Sequence, residues 1–143
     1  AGLSIHGFPG YDRSDTVPLV SQILDGEKPA NTKAVRSQFE PGLRLQYSGG
    51  GTTITQLMVS DITGRKYAEF MQEEVLKPLG MKNSSFEQPL RDTSNLATGY
   101  YESGKPVNGK YHVYPEQAAA GLWTTPTDLA KYIIECQLAY EKK

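Results

Sequence analysis

Apolar side chains recur at helical spacing in four places along this chain, and these places carry most of its predicted structure. From Val17 to Asp25, Leu19, Val20, Ile23 and Leu24 share one face, Asp15 or Thr16 supplies a cap, Pro18 sits in the first turn and Gly26 follows the end. A longer helix is predicted from Thr52 or Thr53 to Thr63, where Ile54, Leu57, Met58 and Ile62 repeat at helical spacing and Gly64 takes the left-handed position beyond the end. The next runs from Tyr67 to Leu76, with Phe70, Met71 and Val75 inward and Glu69, Glu73 and Glu74 toward water, until Pro78 and Gly80 stop it. These two helices form a hairpin. The last opens on Thr125 as cap, Pro126 in first position and Asp128 in the first turn, then lays Leu129, Tyr132, Ile133, Cys136 and Ala139 along one face to the C-terminus. Cys136 is expected to be a buried, inert thiol, and the terminal Glu141-Lys142-Lys143 a solvated end.

The intervening pattern is shorter in period. Pro41-Gly42 is a turn signal before the alternating Leu43-Arg44-Leu45-Gln46-Tyr47, read as a short strand. A small hairpin is predicted around Ser103-Gly104, joining Tyr100-Tyr101 to Lys105-Pro106-Val107, and Tyr111 to Tyr114 adds another extended piece. Residues 1 to about 15 are rich in Gly and Pro and read as an entering loop. The fold class is therefore mainly α with short β pieces (α+β), a single unit over residues 1–143 without repeat or linker. With no initiator methionine and a loop-like start at Ala1-Gly2-Leu3, the chain reads as a piece of a longer protein.

Composition narrows the function. Fifteen basic residues against sixteen acidic ones leave a net charge of −1, so no nucleic-acid partner is indicated. The longest apolar run, Ala118 to Trp123, falls far short of the roughly 18–20 residues of a membrane span. One cysteine makes no internal disulfide, and two histidines, His6 and His112, give no zinc-ligand spacing, so neither a metal nor another cofactor is expected.

The strongest local oddity is Tyr47-Ser48-Gly49-Gly50-Gly51, between a predicted strand and a predicted helix. Its glycines permit close backbone approach, and the amides opening the helix would favour an anion or a developing oxyanion. The Lys-Ser/Thr of a phosphate-binding loop is missing. On composition alone Tyr47 reads as a packed strand tyrosine. Near the last helix, His112, Tyr114 and Glu116 precede Ala118-Ala119-Ala120-Gly121, and Trp123 reads as a core aromatic.

The order of Tyr47-Ser48-Gly49-Gly50-Gly51, "VLKPLGMKNSSF" over 75–86 and "AAAGLWTTPTDLAKY" over 118–132 resembles the serine β-lactamase and penicillin-binding-protein family, especially its class C and esterase-like branch, over essentially the whole chain. That resemblance implies the helical middle of a two-domain fold and acyl transfer to a serine in a Ser-x-x-Lys motif. It makes Tyr47 the catalytic tyrosine, places Ser48, Gly49, His112, Tyr114 and Gly121 beside the substrate, and implies a β-lactam, acyl-peptide or ester as that substrate. A bacterial, extracytoplasmic setting goes with it. A phenol loses its proton near pH 10 in water, so a basic tyrosine needs a cation such as the family lysine. None of the ten serines is followed three positions later by Lys, and neither Lys-Thr-Gly nor His-x-Gly follows the last helix. The chain alone is accordingly expected to be inactive and to expose apolar surface through which it self-associates. Gly49 stands where the class C motif has an asparagine amide, which favours peptide or ester hydrolysis over β-lactam hydrolysis. The alternative is a non-catalytic helical binding or scaffold module derived from the family.

Overall fold

The computed structural model describes residues 2–141. Its regular elements are helices: α1 (Val20–Asp25), α2 (Gly49–Thr63), α3 (Tyr67–Met71), α4 (Gln117–Ala120) and α5 (Pro126–Glu141), with a π-helical turn over Gln72–Leu76 continuing α3. Extended pieces meet only as isolated antiparallel bridges among the described residues: Leu3 with Ser37, Tyr11 with Val113, Ser85 with Trp123 and Tyr100 with Pro106. The last is the hairpin expected around Ser103-Gly104, closed by Tyr101 N–H donating to the Lys105 carbonyl at 2.9 Å.

The helices begin and turn differently from their apolar patterns, each for a local reason. Pro18 confines Val17 to extended backbone, so α1 starts only at Val20, where the Gln22 side chain accepts from Leu19 N–H at 2.9 Å. Asp15 instead closes a turn on the Asp12 amide. α2 starts at Gly49, and it buries Gly49, Gly50, Thr53 and Gln56 while Ile54, Met58 and Ile62 stay outside, Ile62 77% exposed. Its small and polar side is buried because the opening loop and α4 close on that side; α2 and α4 form the most extensively packed helix pair. After α3, the π-turn advances the buried position by one residue, so Leu76 rather than Val75 enters the core with Met81 and Phe86, flanked by Tyr67 and Met71.

Two expectations fail. Leu43–Tyr47 forms no strand: Leu43 is 70% and Leu45 97% exposed, and no neighbouring strand takes up their backbone groups. The apolar face of α5 is not buried either, since every residue from Tyr132 to Glu141 is exposed, Cys136 included. Within α5 the fully buried side chain is the charged Asp128. Periodicity marks these faces as apolar, but the described residues contain nothing that covers them. Of the expected solvated end, Glu141 is exposed and Lys142-Lys143 lie outside the described residues.

Asp128 ties two distant segments together. One carboxylate oxygen accepts from Asn83 N–H at 2.7 Å and from the Ser84 hydroxyl at 3.0 Å, the other from Lys131 Nζ at 2.7 Å, and Lys131 also donates to the Gly80 carbonyl. Ser84 and Thr124 share a hydrogen bond of 2.8 Å, and the Ser85–Trp123 bridge follows directly. The hydrogen bond from Lys131 holds this carboxyl below the usual aspartate range against the opposing pull of burial, with Asn83 and Ser84 assisting. The two segments carrying the clearest motifs are thus one bonded unit.

Candidate functional site

Tyr47 stands at the mouth of α2 with its ring 69% exposed, and no hydrogen bond reaches its phenol oxygen among the described residues. Leu43 and Leu45 beside it are exposed as well, so the 43–47 segment lies open on this side of α2. Immediately after it, Ser48 caps α2: its hydroxyl accepts from Gly51 N–H at 3.0 Å and donates to the Ser4 carbonyl at 2.8 Å. Gly50 N–H donates to the Ile5 carbonyl at 3.0 Å. The helix-opening amides of Gly50 and Gly51 are thereby occupied by the protein itself, so the expected anion site is not formed by these two groups.

The glycines serve close approach. A Cβ at Gly50 would lie 2.7 Å from Val35 Cγ2, and one at Gly49 3.1 Å from the His6 carbonyl and 3.2 Å from the Phe8 ring. Ile5 has a φ of 62°, a left-handed backbone that a β-branched residue rarely adopts. Its carbonyl is the one that receives Gly50, so strain in the opening loop is spent on pinning the base of Tyr47.

His112, Tyr114 and Gly121 form a second group. His112 Nδ1 lies 3.0 Å from the Pro9 carbonyl, which can only accept, so Nδ1 carries a proton; Nε2 faces Tyr101 Oη at 3.2 Å and Asp12 Oδ1 at 3.3 Å. In the neutral ring Nε2 takes the Tyr101 proton, and in the charged ring it pairs with Asp12. Tyr114 and His112 both press on Gly10, where a Cβ would come within 2.7 Å of each. Burial, then the Glu116 carboxyl, raises the Tyr114 phenol above its ordinary range. Gly121 is buried against α4, its Cβ position only 2.6 Å from Gln117 Cα.

Gln88 joins Tyr114 to Gly121, accepting from the Tyr114 amide at 3.1 Å and donating to the Gly121 carbonyl at 2.8 Å. Gln56 likewise donates to the Pro115 carbonyl at 2.9 Å and accepts from the Ala118 amide at 3.0 Å. Sequence reasoning missed both glutamines; the available signal was the place of Gln56 one turn after Thr53, on the polar side that α2 turns inward. No hydrogen bond joins the Tyr47 group to the His112 group among the described residues. The opening loop spans them, touching α2 through Ser4 to Phe8 and the second group through Pro9 to Asp12. Trp123 sits beside this second group, edge-on to Tyr111 at 4.9 Å, with its indole N–H donating to the Glu87 carbonyl.

The beta-lactamase family model matches residues 7–142. A beta-lactamase of Pseudomonas fluorescens is 30% identical over 98 residues, which are 66% of this chain and 26% of that protein. Among solved structures, a D-amino acid amidase from Ochrobactrum anthropi superposes with a TM-score of 0.64 at 23% identity over 92% of this chain and 40% of its own. The D-alanine carboxypeptidase AmpC from Burkholderia cenocepacia does so with a TM-score of 0.61 at 22% identity, over 90% and 34%. The chain belongs to the beta-lactamase family, and its fold is a helical portion of the β-lactamase/transpeptidase fold. It spans about a quarter or less of the length of the first curated relatives it matches, 26%, 16% and 19%.

Proposed function

We propose that this segment supplies Tyr47 as proton acceptor or relay to a serine acyl hydrolase whose serine and lysine lie elsewhere on a longer polypeptide. The observation that carries this reading is a tyrosine left exposed and unbonded on a backbone that Ser48, Gly50 and a strained Ile5 hold fast. In the acylation step the Tyr47 oxygen takes the serine proton, its own phenolic proton passing to the neighbouring lysine, as the serine oxygen bonds to the substrate carbonyl; the proton returns to the departing amine or alkoxide when the bond between the carbonyl and that group breaks. Ser48 and Gly49 flank the acyl group, and His112, Tyr114 and Gly121 form the more distant wall. Because Gly49 offers no side-chain amide and a side chain there would press on His6 and Phe8, a peptide or ester fits better than a β-lactam.

The chain of 143 residues is expected to show no turnover of a chromogenic cephalosporin or a nitrophenyl ester. The longer polypeptide is expected to gain a covalent acyl mass with its preferred substrate. Absence of any adduct on a polypeptide that carries Ser-x-x-Lys sinks the proposal, as does turnover by the short chain that is lost when one of its own serines is replaced.

The uncovered apolar faces of α2 and α5 give a second expectation, that the short chain self-associates. Ile54, Met58 and Ile62 on one helix and Leu129, Ile133, Ile134 and Leu138 on the other are each at least 40% exposed. Light scattering over a concentration series should report a rising mean mass. A constant monomer mass with no binding of an apolar dye counts against it.

A further inference from the structure

Glu116 is fully buried, yet neither of its carboxylate oxygens has a hydrogen-bond partner among the described residues. A charged carboxylate in that position would be a large unpaid desolvation cost, and the neutral acid is far easier to enclose. Its backbone is in a sensitive place. The Glu116 carbonyl accepts from both Ala119 and Ala120 and so starts α4, while the Gln56 clamp closes on Pro115 and Ala118 at either side of it. The Gln88 clamp encloses the same stretch from Tyr114 to Gly121.

We propose that Glu116 is a proton-operated latch: as the neutral acid it lets the segment from Tyr114 to Gly121 pack shut, and loss of its proton drives the carboxylate toward water and loosens α4 with Gly121. The opening loop presents the Tyr11 phenol and the segment of Glu116 itself the Tyr114 phenol, both raised by burial and further by the Glu116 charge. The side chains that α2, the helix packed most extensively on α4, buries are Thr53 and Gln56, which are uncharged. Asp61, Arg65 and Lys66 border the open groove outside Pro115 and Gln117, where Arg65 is committed to Glu74 at 2.8 Å and Lys66 is 85% exposed. Among the described residues, no cation is bonded to the Glu116 carboxylate to hold the ionised form inside. Consistent with this setting, burial pushes the carboxyl up to about 7, so the latch works within a physiological range.

The sequence contains one tryptophan, Trp123, placed just beyond Gly121, and it reports the event. In the full chain, the Glu116 carboxyl-carbon shift should titrate with a midpoint near 7, and Trp123 emission should change with the same midpoint. Glu116→Gln should abolish the emission change, whereas His6→Gln with His112→Gln should leave it in place. A Glu116 midpoint in the ordinary range of about 4–5 overturns the proposal, even if the glutamine variant fails to fold. So does an emission transition that survives Glu116→Gln or disappears with the two histidines.

Discussion

Under the proposed function, a Tyr47→Phe substitution in a longer polypeptide that carries a Ser-x-x-Lys motif is expected to slow acylation by roughly 10²–10⁴-fold. In the short chain, stability should scarcely move. There the phenol oxygen makes no bond among the described residues and Tyr47 is 69% exposed, so the same substitution should leave the melting temperature within about 2 °C of the parent. Single-turnover acylation measured beside a thermal melt separates the roles: a fall of less than tenfold in a stably folded variant removes Tyr47 from the catalytic machinery.

Asp128→Ala is expected to have the largest effect on folding, lowering the melting midpoint by on the order of 10 °C. The substitution strands the Asn83 amide, the Ser84 hydroxyl and the Lys131 ammonium together, instead of removing one isolated contact. Asp128→Asn keeps the volume and one acceptor but loses the charge facing Lys131, so an intermediate loss is expected. Acid should act in the same direction. Since the folded carboxyl sits below the ordinary aspartate range, its contribution is complete above that range and is lost as pH falls from it through the lower folded value. Melts followed by Trp123 emission check both statements, and an alanine variant melting within about 2 °C of the parent would show that the clamp carries little.

Much of the fold was legible because local chemistry and tertiary demand agree. Gly64 ends α2 with a φ of 65°, and Thr125 caps α5 by accepting from Asp128 N–H, as their positions in the sequence require. Legibility failed where a face depends on something else to cover it. Leu43-Leu45-Tyr47 has the alternation of a strand but no strand to pair with, and Cys136 lies on an apolar stripe that nothing among the described residues covers. The candidate site was half readable. Tyr47 and its glycines stand out in the sequence, and the family resemblance gives the tyrosine a role, whereas Ile5, Gln56 and Gln88 act through backbone geometry and bonds between residues far apart. Nothing in their composition or spacing announces that use.

The two ends of the stretch from 89 to 110 have a consequence of their own. Gln88 is bonded to Tyr114 and Gly121, and Ser85 to Trp123, so the chain leaves and rejoins the body at almost the same place. No residue between 89 and 110 is buried. Closing a longer excursion costs only about 0.6 kcal/mol for each doubling of its length. This stretch can therefore lengthen or shorten on either side of Tyr101, which reaches His112, without disturbing the scaffold. It is thus a tolerant address for an inserted epitope or reporter.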